Sequence, residues 1–267
     1  MPVFLSIIIP AYNEEKRIGR SLEAILRFLG EQRYQAEVVV VNDGSSDRTP
    51  DIVTDWADRF QQAGHELRLF TNTPNRGKGY SVRRGVREAR GEIALFTDAD
   101  LSSPITEAPK LIAPILAGRA DVTFGSRALN RKLIGVRQSL LRDFGGRLFN
   151  LFVRTITGLP FHDTQCGFKA FRRQEALAVF QLQSIERFGF DPEVLYIAKK
   201  RGLRLLEVPV VWNHVEDSKV SYLRDSTNMF LDLARIRLND LRGKYDDARV
   251  DVAVETSPVR KDAASRS

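Results

Sequence analysis

The chain has 267 residues, of which 43% are hydrophobic and 28% are charged. These fractions match soluble globular domains and exclude a largely disordered chain or a polytopic membrane protein. The single cysteine, Cys166, excludes an internal disulfide framework, and with only three histidines a Cys/His zinc cage is not indicated. The net charge of +7 indicates an anionic partner, which leaves nucleic acid, a phosphate-bearing substrate or an acidic membrane surface open.

Most of the net positive charge lies in one segment, residues 126–154, which carries seven basic residues against the acidic Asp143, a net +6 (7 − 1). The opening apolar run, residues 3–11, is too short to cross a bilayer and lacks the flanks of a signal peptide. We therefore expect a cytoplasmic protein without a transmembrane helix, whose contact with a membrane is peripheral. The basic residues of the segment are Arg127, Arg131, Lys132, Arg137, Arg142, Arg147 and Arg154.

Short β-branched runs alternate with longer amphipathic segments over the first 125 residues, a pattern typical of βαβ units around a mostly parallel sheet. The runs at 7–9 and 38–41 are continuously apolar, as strands covered on both faces require. Ser46 or Asp47 is expected to cap the second helix, and Gly91 to end the third. The predicted strands are 5–11, 37–42, 66–71, 92–97 and 121–125, and the predicted helices are 15–29, 48–62, 78–90 and 104–117.

The pattern changes beyond residue 125. We predict a long apolar-rich helix at 138–157, a strand at 167–171 and a helix at 173–181. A strand at 203–212 and a helix at 222–242 follow. Residues 246–267 are polar and lack periodicity, so they are expected to be disordered.

Ligands of open α/β sheets bind at the carboxyl ends of the strands. The first strand leads into the sequence Pro-Ala-Tyr-Asn-Glu at 10–14, and the second into Asn-Asp-Gly-Ser-Ser at 42–46. The glycine-rich motifs GxGxxG and GxxxxGK[ST] are absent, which argues against a nicotinamide dehydrogenase or a P-loop nucleotidase. The carboxylates and the tyrosine suit a ribose or a base. A plain hairpin turn at 42–44 is the alternative, although a helical pattern follows it.

The fourth strand leads into Thr-Asp-Ala-Asp at 97–100. Asp98 and Asp100 can share Mg²⁺ or Mn²⁺, since these cations prefer oxygen ligands and complete their shell with substrate phosphates. Asp100 is the better placed as a direct ligand, and Asp98 faces the ribose or the waters of the metal. A solvated acidic turn that caps the following helix is the alternative.

Together, the motifs PAYNEE, VNDGSSD, NRGKG and DAD occur in the order seen in family 2 of the inverting GT-A glycosyltransferases, and the chain resembles that family. Further along, GSRAL at 125–129, DTQCGFK at 163–169, ERFGFD at 186–191 and Ser218-Lys219 are similar to the dolichyl-phosphate β-glucosyltransferases, a branch near the polyprenyl-phosphate mannose synthases. The resemblance covers residues 3–245.

The resemblance implies an α/β fold of the GT-A (Rossmann-like) type, with helices on both faces of the sheet and C-terminal amphipathic helices at a membrane surface. It also implies a single domain at 1–245, with a nucleotide-sugar half at 1–125 and an acceptor- and membrane-facing half at 126–245. The implied reaction moves a hexose, best matched by glucose from UDP-glucose, to a polyprenyl or dolichyl phosphate. GDP-mannose and a UDP-N-acetylhexosamine are alternative donors.

Individual roles follow from the same resemblance. Asp98 and Asp100 match the site of Mg²⁺ or Mn²⁺, Arg127 and Lys219 would hold the acceptor phosphate, and Asp163 matches the position proposed as a base. Orientation of a neighbouring Lys or Arg is the alternative role of Asp163. The catalytic set is Asp163, Asp100 and Arg127, and the nucleotide-sugar set is Pro10, Tyr12, Glu14, Asp43, Lys78, Asp98, Ala99 and Asp100.

Two departures from the family pattern leave the donor open. Ser102 stands where mannose synthases usually have a glutamine, and the sequence Leu-Ser-Ser-Pro at 101–104 differs from the form common in the eukaryotic glucosyl enzymes.

Residues 140–157 give an apolar arc of half the helix circumference or more, with Arg147 and Arg154 at its borders. Such a helix suits a lipid interface, and an anionic membrane surface is the expected partner. A helix of the protein core is the alternative.

Two other classes of function are alternatives. A nucleic-acid-binding module would use the +7 charge, but no recognition helix or base-stacking sheet stands out, so we expect no nucleic-acid partner. A non-catalytic nucleotide-sugar sensor would share the strand-end motifs and differ only in lacking transfer activity.

Overall fold

The computed structural model describes residues 2–134, 140–213 and 222–246. Seven strands form one sheet in the order β3-β2-β1-β4-β6-β5-β7. All neighbouring strands are parallel except β6, which runs antiparallel to both β4 and β5. The strands are β1 Leu5–Ala11, β2 Ala36–Asn42, β3 Glu66–Thr71, β4 Ile93–Phe96, β5 Val122–Ser126, β6 Lys169–Arg172 and β7 Leu205–Pro209.

Helices cover both faces of this sheet. Successive residues of β1 point to opposite faces, so that Ile7 packs with one set of helices and Ile8 with the other. Helices α1, α2 and α4 cover the first face, and α3, α5, α6, α7 and α8 cover the second. They are α1 Ile18–Gly30, α2 Thr49–Gln62, α3 Lys78–Glu88, α4 Ala108–Leu116, α5 Leu140–Thr157, α6 Arg173–Leu182, α7 Phe190–Lys200 and α8 Tyr222–Leu241.

The predicted mostly parallel α/β sheet with helices on both faces is confirmed, and each predicted strand lies within a few residues of an observed one. Helix α7 was not predicted. Residues 190–198 are all buried, including Asp191 and Glu193, so the helix lacks the polar face that reveals an amphipathic period.

Two local predictions need correction. The third helix ends at Glu88, before Gly91. Gly91 instead packs against β1, where a Cβ atom would lie 2.6 Å from the Ser6 nitrogen. The second helix has no side-chain cap at its N-cap residue, Arg48. Asp47, the residue before Arg48, instead binds the start of the helix: its Oδ1 accepts a hydrogen bond from the Thr49 nitrogen at 3.0 Å.

The apolar arc predicted for residues 140–157 divides into two sides. Phe149 and Val153 are buried in the core, as the core-helix alternative requires. Leu148, Leu151 and Phe152 are exposed, so for this side the lipid interface stays a prediction. Within the three described ranges, no helix combines the length and apolar character that a membrane span needs. Of the tail predicted to be disordered at 246–267, residues 247–267 lie outside the described residues.

Candidate functional site

The loops that follow β1 and β2 are joined at the carboxyl edge of the sheet. The Asn13 nitrogen donates to Ser45 Oγ at 2.8 Å, and Asn13 Oδ1 accepts from the Ser46 nitrogen at 2.8 Å. Asn13 adopts a positive φ of 54°, a conformation that asparagine tolerates better than most residues. The Glu14 nitrogen donates to Thr49 Oγ1 at 2.7 Å. The two motifs predicted to hold a nucleoside therefore form one rigid corner.

Asp43 anchors the loop that precedes α3. Its buried carboxylate accepts hydrogen bonds from Asn72 Nδ2 at 2.8 Å, the Arg76 nitrogen at 3.0 Å and the Gly77 nitrogen at 2.7 Å. A carboxylate offers about four acceptor positions, so these bonds leave one for a further donor, on Oδ2. Asp43 thus links the VNDGSSD and NRGKG motifs, which the sequence showed only as separate segments.

The NRGKG loop is also held against the ERFGFD segment. A Cβ atom at Gly77 would lie 2.6 Å from the Glu186 carbonyl oxygen, so only glycine allows this approach. The Tyr80 nitrogen donates to the same oxygen at 3.0 Å. Arg76 lies over the Tyr80 ring and forms an ion pair with the Glu186 carboxylate at 2.7 Å. These contacts fix the start of α3, where Lys78 begins the helix.

Asp98 and Asp100 follow β4 and are both partly exposed. Lys78 Nζ lies 2.5 Å from Asp98 Oδ1, and Asp100 Oδ1 accepts from the Ser102 nitrogen at 2.9 Å. Leu101 turns the chain with a positive φ of 49°. The two carboxylates suit a hard cation, because they are accessible oxygen donors. The described residues contain no group of three or more potential metal ligands, so phosphate and water oxygens would have to complete the shell.

Lys78 keeps its positive charge beside this carboxylate pair. Burial opposes the charge, but the carboxylates of Asp98 and Asp191 outweigh it and hold the pKa of Lys78 above its usual range. The ammonium group therefore remains protonated throughout the neutral pH range. A fixed cation next to two carboxylates is suited to an anionic ligand that shares the site with a metal.

Arg127 and Asp163 form a forked ion pair. Arg127 Nε donates to Asp163 Oδ2 at 2.7 Å, and Nη2 donates to Oδ1 at 2.8 Å. The Arg127 and Gln165 backbone nitrogens add bonds of 3.0 and 3.2 Å to Oδ2 and Oδ1. Burial raises the pKa of Asp163, but the Arg127 guanidinium lowers it by more than burial raises it. The pKa of Asp163 therefore lies below its usual range. Asp163 is thus ionised, and its acceptor positions are occupied.

The DTQCGFK segment runs between the Arg127–Asp163 pair and the carboxylates. A Cβ atom at Gly167 would lie 2.3 Å from Asp98 Oδ2, so the backbone here touches the Asp98 carboxylate directly. Lys169 is fully buried and donates to the Cys166 carbonyl oxygen at 2.6 Å and to Asp191 Oδ1 at 2.5 Å. This buried pair therefore secures the segment that contacts Asp98.

Gly167, Lys169 and Asp191 lie in the segments that the sequence indicates, but no role is predicted for them. The one signal was Lys169, a lysine within the otherwise apolar predicted strand at 167–171. Arg17 was missed altogether: it donates to both Glu14 oxygens, at 2.8 and 3.0 Å, and its Nη1 lies 4.0 Å from Asp100 Oδ2. The i, i+3 spacing of Glu14 and Arg17 could have revealed the pair.

Trp212 was also missed. Its ring lies 5.5 Å from the Arg127 guanidinium carbon, so it flanks the forked pair. The next residue, Asn213, donates its backbone nitrogen to the Ser102 carbonyl oxygen at 2.8 Å. The chain after β7 therefore crosses from Arg127 to the turn that follows Asp100.

The predicted site residues within the described ranges lie at the carboxyl edge of the sheet. Tyr12 is exposed there, while Ala99 is buried and accepts a hydrogen bond from Ser21 Oγ at 2.6 Å. Lys219 lies outside the described residues, and its assignment to the acceptor phosphate stays a prediction. The predicted residues that the structure describes are Pro10, Tyr12, Glu14, Asp43, Lys78, Asp98, Ala99, Asp100, Arg127 and Asp163.

Known sequences that match this chain agree with the family resemblance of its motifs. Residues 6–178 match glycosyl transferase family 2. A dolichyl-phosphate beta-glucosyltransferase of Trichomonas vaginalis is 36% identical over 244 residues, which cover 88% of this chain and 73% of the relative. The enzyme of the same name from Dictyostelium discoideum is 34% identical over 251 residues, covering 90% and 76%. That from Saccharomyces cerevisiae is 34% identical over 259 residues, covering 92% and 77%.

Solved structures show the same architecture. Glucosyl-3-phosphoglycerate synthase from Mycobacterium tuberculosis, in complex with Mn²⁺, UDP-glucose and phosphoglyceric acid, superposes with a TM-score of 0.64 at 19% identity, covering 88% of this chain and 79% of that one. Its complex with UDP gives a TM-score of 0.62 at 19% identity, covering 88% and 80%. At this identity the similarity establishes the fold alone.

Proposed function

The chain belongs to glycosyl transferase family 2, and from that membership we propose that it transfers glucose from UDP-glucose to a dolichyl or polyprenyl phosphate. It is a glycosyltransferase with a GT-A-like fold. The sugar and the acceptor are supported by relatives of 32–37% identity that are named dolichyl-phosphate beta-glucosyltransferases. The UDP-glucose donor is supported by the ligand of a structural neighbour.

The observation that carries this proposal is the gathering of two cations around a carboxylate pair. Lys78 forms an ion pair with Asp98. The segment that contains Gly167 also contacts Asp98, and the same segment includes Asp163, which binds Arg127. A nucleoside diphosphate with its metal needs the carboxylate pair and a cation such as Lys78. An acceptor phosphate needs a cation such as Arg127.

Asp98 and Asp100 would hold Mg²⁺ or Mn²⁺. Such a metal would neutralise the negative charge that develops on the departing diphosphate. Lys78 supplies a second, permanent positive charge to the same group. The rigid corner around Asn13 and Asp43 would receive the nucleoside, with Pro10, Tyr12, Glu14 and Ala99 contributing to the same pocket.

The acceptor is a phosphate monoester, whose second pKa is about 6, so it is largely dianionic at neutral pH. It therefore needs positioning more than deprotonation. An oxygen of the acceptor attacks the anomeric carbon, the bond from that carbon to UDP breaks, and attack opposite the leaving group inverts the configuration. Arg127 would align the attacking phosphate. We assign Asp163 the role of holding Arg127, because its acceptor positions are occupied.

These roles assign the two substrates to different parts of the chain. Residues 1–125 would form the nucleotide-sugar half, and residues 126–245 the half that meets the acceptor, to which Lys219 would contribute. The protein would act at the cytosolic face of a membrane, where its lipid acceptor is embedded, as a peripheral protein.

A donor panel tests the proposal. The protein is incubated with radiolabelled UDP-glucose, GDP-mannose or UDP-N-acetylglucosamine, a short-chain polyprenyl phosphate and Mg²⁺ or Mn²⁺, and the label extracted with the lipid is counted. We expect transfer from UDP-glucose alone, with anomeric inversion by NMR. EDTA or Asp100→Ala should abolish it, while Asp51→Ala, an exposed carboxylate on α2, should leave it unchanged. Transfer from another donor would overturn the choice of sugar, and no transfer at all would overturn the function.

A further inference from the structure

A largely buried hydrogen-bond network joins the end of α8 to α7. Glu193 on α7, Asn239 on α8 and Tyr245, which follows α8, are all buried. Asn239 Nδ2 donates to Ser184 Oγ at 2.8 Å and to the Tyr245 hydroxyl oxygen at 3.3 Å. Both hydroxyls in turn donate to Glu193 Oε1, at 2.7 Å from Ser184 and 2.8 Å from Tyr245. We call Ser184, Glu193, Asn239 and Tyr245 the Glu193 network.

The Glu193 carboxylate is the centre of this network. Besides the two hydroxyls, it accepts hydrogen bonds from the Ser184 nitrogen at 3.0 Å and from the Ile185 nitrogen at 2.8 Å. A carboxylate offers about four acceptor positions, so these four donors occupy all of them. The direction of each bond is fixed, because the Asn239 amide nitrogen only donates and each hydroxyl has one proton to give. Glu193 therefore holds the backbone at Ser184 and Ile185 in one position relative to α7 and α8.

The segment that the network holds supports the first turn of α3. The Ile185 carbonyl oxygen lies so close to Gly79 that an added Cβ atom would approach it to 2.6 Å. The Glu186 carbonyl oxygen lies equally close to Gly77, at 2.6 Å from such an atom. Lys78 lies between these two glycines, so its backbone is pressed against the segment on both sides. The network therefore sets the position of Lys78.

The position of Lys78 matters for the candidate site. Its Nζ lies 2.5 Å from Asp98 Oδ1, and a shift of the first turn of α3 would change that distance directly. A misplacement of about 1 Å, caused far from the reacting atoms, can cost about 100-fold in rate. The connection from Tyr245 to Lys78 runs through Glu193 and the backbone of Ile185. The end of α8 is thereby linked to the site of the donor phosphates.

We propose that Glu193, Asn239 and Tyr245 are positioning residues for the donor site, which act by fixing the backbone that carries Lys78. This inference rests on the proposed function, in which Lys78 binds the diphosphate of the donor. It adds three residues from the second half of the chain to a nucleotide-sugar site that the family resemblance places in residues 1–125. The three residues are buried, so they act through the segment beneath α3 and not by contact with the substrate.

Tyr245→Phe in the full chain tests the proposal, because it removes one hydroxyl and keeps the ring. The affinity for UDP in the presence of Mn²⁺, measured by calorimetry, should fall by about tenfold. KM for a short-chain polyprenyl phosphate should stay within about twofold of the wild-type value, since the acceptor side is untouched. Hydrogen exchange of the Tyr80 amide, which donates to the Glu186 carbonyl oxygen at 3.0 Å, should become faster.

Tyr196→Phe is the matched control. Tyr196 lies on α7, as Glu193 does, and its hydroxyl donates to Asp240 Oδ2 on α8 at 2.6 Å. The control therefore loses a bond of the same kind between α7 and the end of α8, but that bond does not lead to Ile185. Its UDP affinity and its exchange at Tyr80 should match the wild type. Circular dichroism and thermal melts verify that each variant is folded.

Two outcomes would overturn the inference. The first is a folded Tyr245→Phe variant with wild-type UDP affinity and wild-type exchange at Tyr80. The second is an equal loss in Tyr196→Phe, which would assign the effect to the general packing of α8 on α7. Ser184→Ala, which removes the other hydroxyl, takes the place of Tyr245→Phe if that variant does not fold. Absence of glucose transfer by the wild type counts against the proposed function, and exchange at Tyr80 still tests the network.

Discussion

Asp163 holds the Arg127 guanidinium in a fork, with the Nε to Oδ2 and Nη2 to Oδ1 distances at 2.7 and 2.8 Å. The Asp163 nitrogen in turn donates to Glu207 Oε1 at 2.8 Å, so the backbone beneath the fork is tied to β7. Two parallel bonds fix the plane of the guanidinium as well as its position. Of the two roles predicted for Asp163, a base or the orientation of a cation, this arrangement favours the second, which we proposed above.

Asp163→Asn distinguishes support from base catalysis. Loss of a positioning group should raise KM for the acceptor and lower kcat/KM by about 10- to 100-fold, while the shape of the pH profile is kept. Removal of a general base would lower kcat by about 10²- to 10⁴-fold and remove the ascending limb of the profile. Steady-state kinetics from acid to alkaline pH measure both quantities. Arg127→Lys, which keeps the charge and loses the fork, should resemble Asp163→Asn.

Gly167→Ala probes the contact with Asp98. The new methyl group would lie 2.3 Å from Asp98 Oδ2, so the carboxylate must move away from the donor site. We expect a loss of transfer of at least about tenfold with a weaker affinity for UDP in the presence of Mn²⁺, measured by calorimetry. Gly146→Ala on α5 is the control, since nothing lies within 4 Å of its added methyl group. That variant should keep its activity and gain stability of up to about 1 kcal/mol. Equal activity in both variants would contradict this account of Gly167.

The buried pair of Lys169 and Asp191 yields a double-variant test. Lys169→Met leaves a buried carboxylate without its cation and should lower the free energy of unfolding by about 3–5 kcal/mol. Lys169→Met/Asp191→Leu removes both charges and should recover most of that loss in chemical denaturation. Transfer should remain low in the double variant, since Lys78 loses the carboxylate of Asp191, which helps to hold its charge. Recovered stability together with full activity would show that the pair has no part in positioning the site.

Glu37 is predicted to make stability depend on pH. Burial raises its pKa, but hydrogen bonds from Ser6 Oγ at 2.6 Å and from the Arg90 nitrogen at 2.6 Å outweigh this, so the net pKa is lowered. A carboxyl group with a depressed folded-state pKa stabilises the protein above its unfolded-state value and loses that contribution as the pH falls through the folded-state value. Glu37→Gln should therefore be less stable at neutral pH, and the difference from wild type should shrink in acid. Denaturation at about pH 7 and about pH 3 measures this, and a constant difference would contradict it.

The sequence alone predicted most of the architecture, because strands buried on both faces and amphipathic helices have distinct local patterns. The runs that became β1 and β2 are continuous β-branched residues, and the polar motifs directly after them identified the functional edge. Helix α7 escaped prediction for the converse reason. It is buried all round, with Asp191 and Glu193 among apolar neighbours, so no amphipathic period marks it.

The tertiary structure alone decided which charged residues meet. Lys78 at the start of α3 is paired with Asp98, which follows β4. Arg127 reaches Asp163 because antiparallel β6 lies between β4 and β5 in the sheet. Gly167 touches Asp98 for the same reason. Local patterns carry no information about the order of strands in a sheet, and that order sets the distance between residues far apart in the chain. The sequence thus identified the chemical groups and the edge at which they gather, whereas the packing of the sheet determined their partners and hence their ionisation.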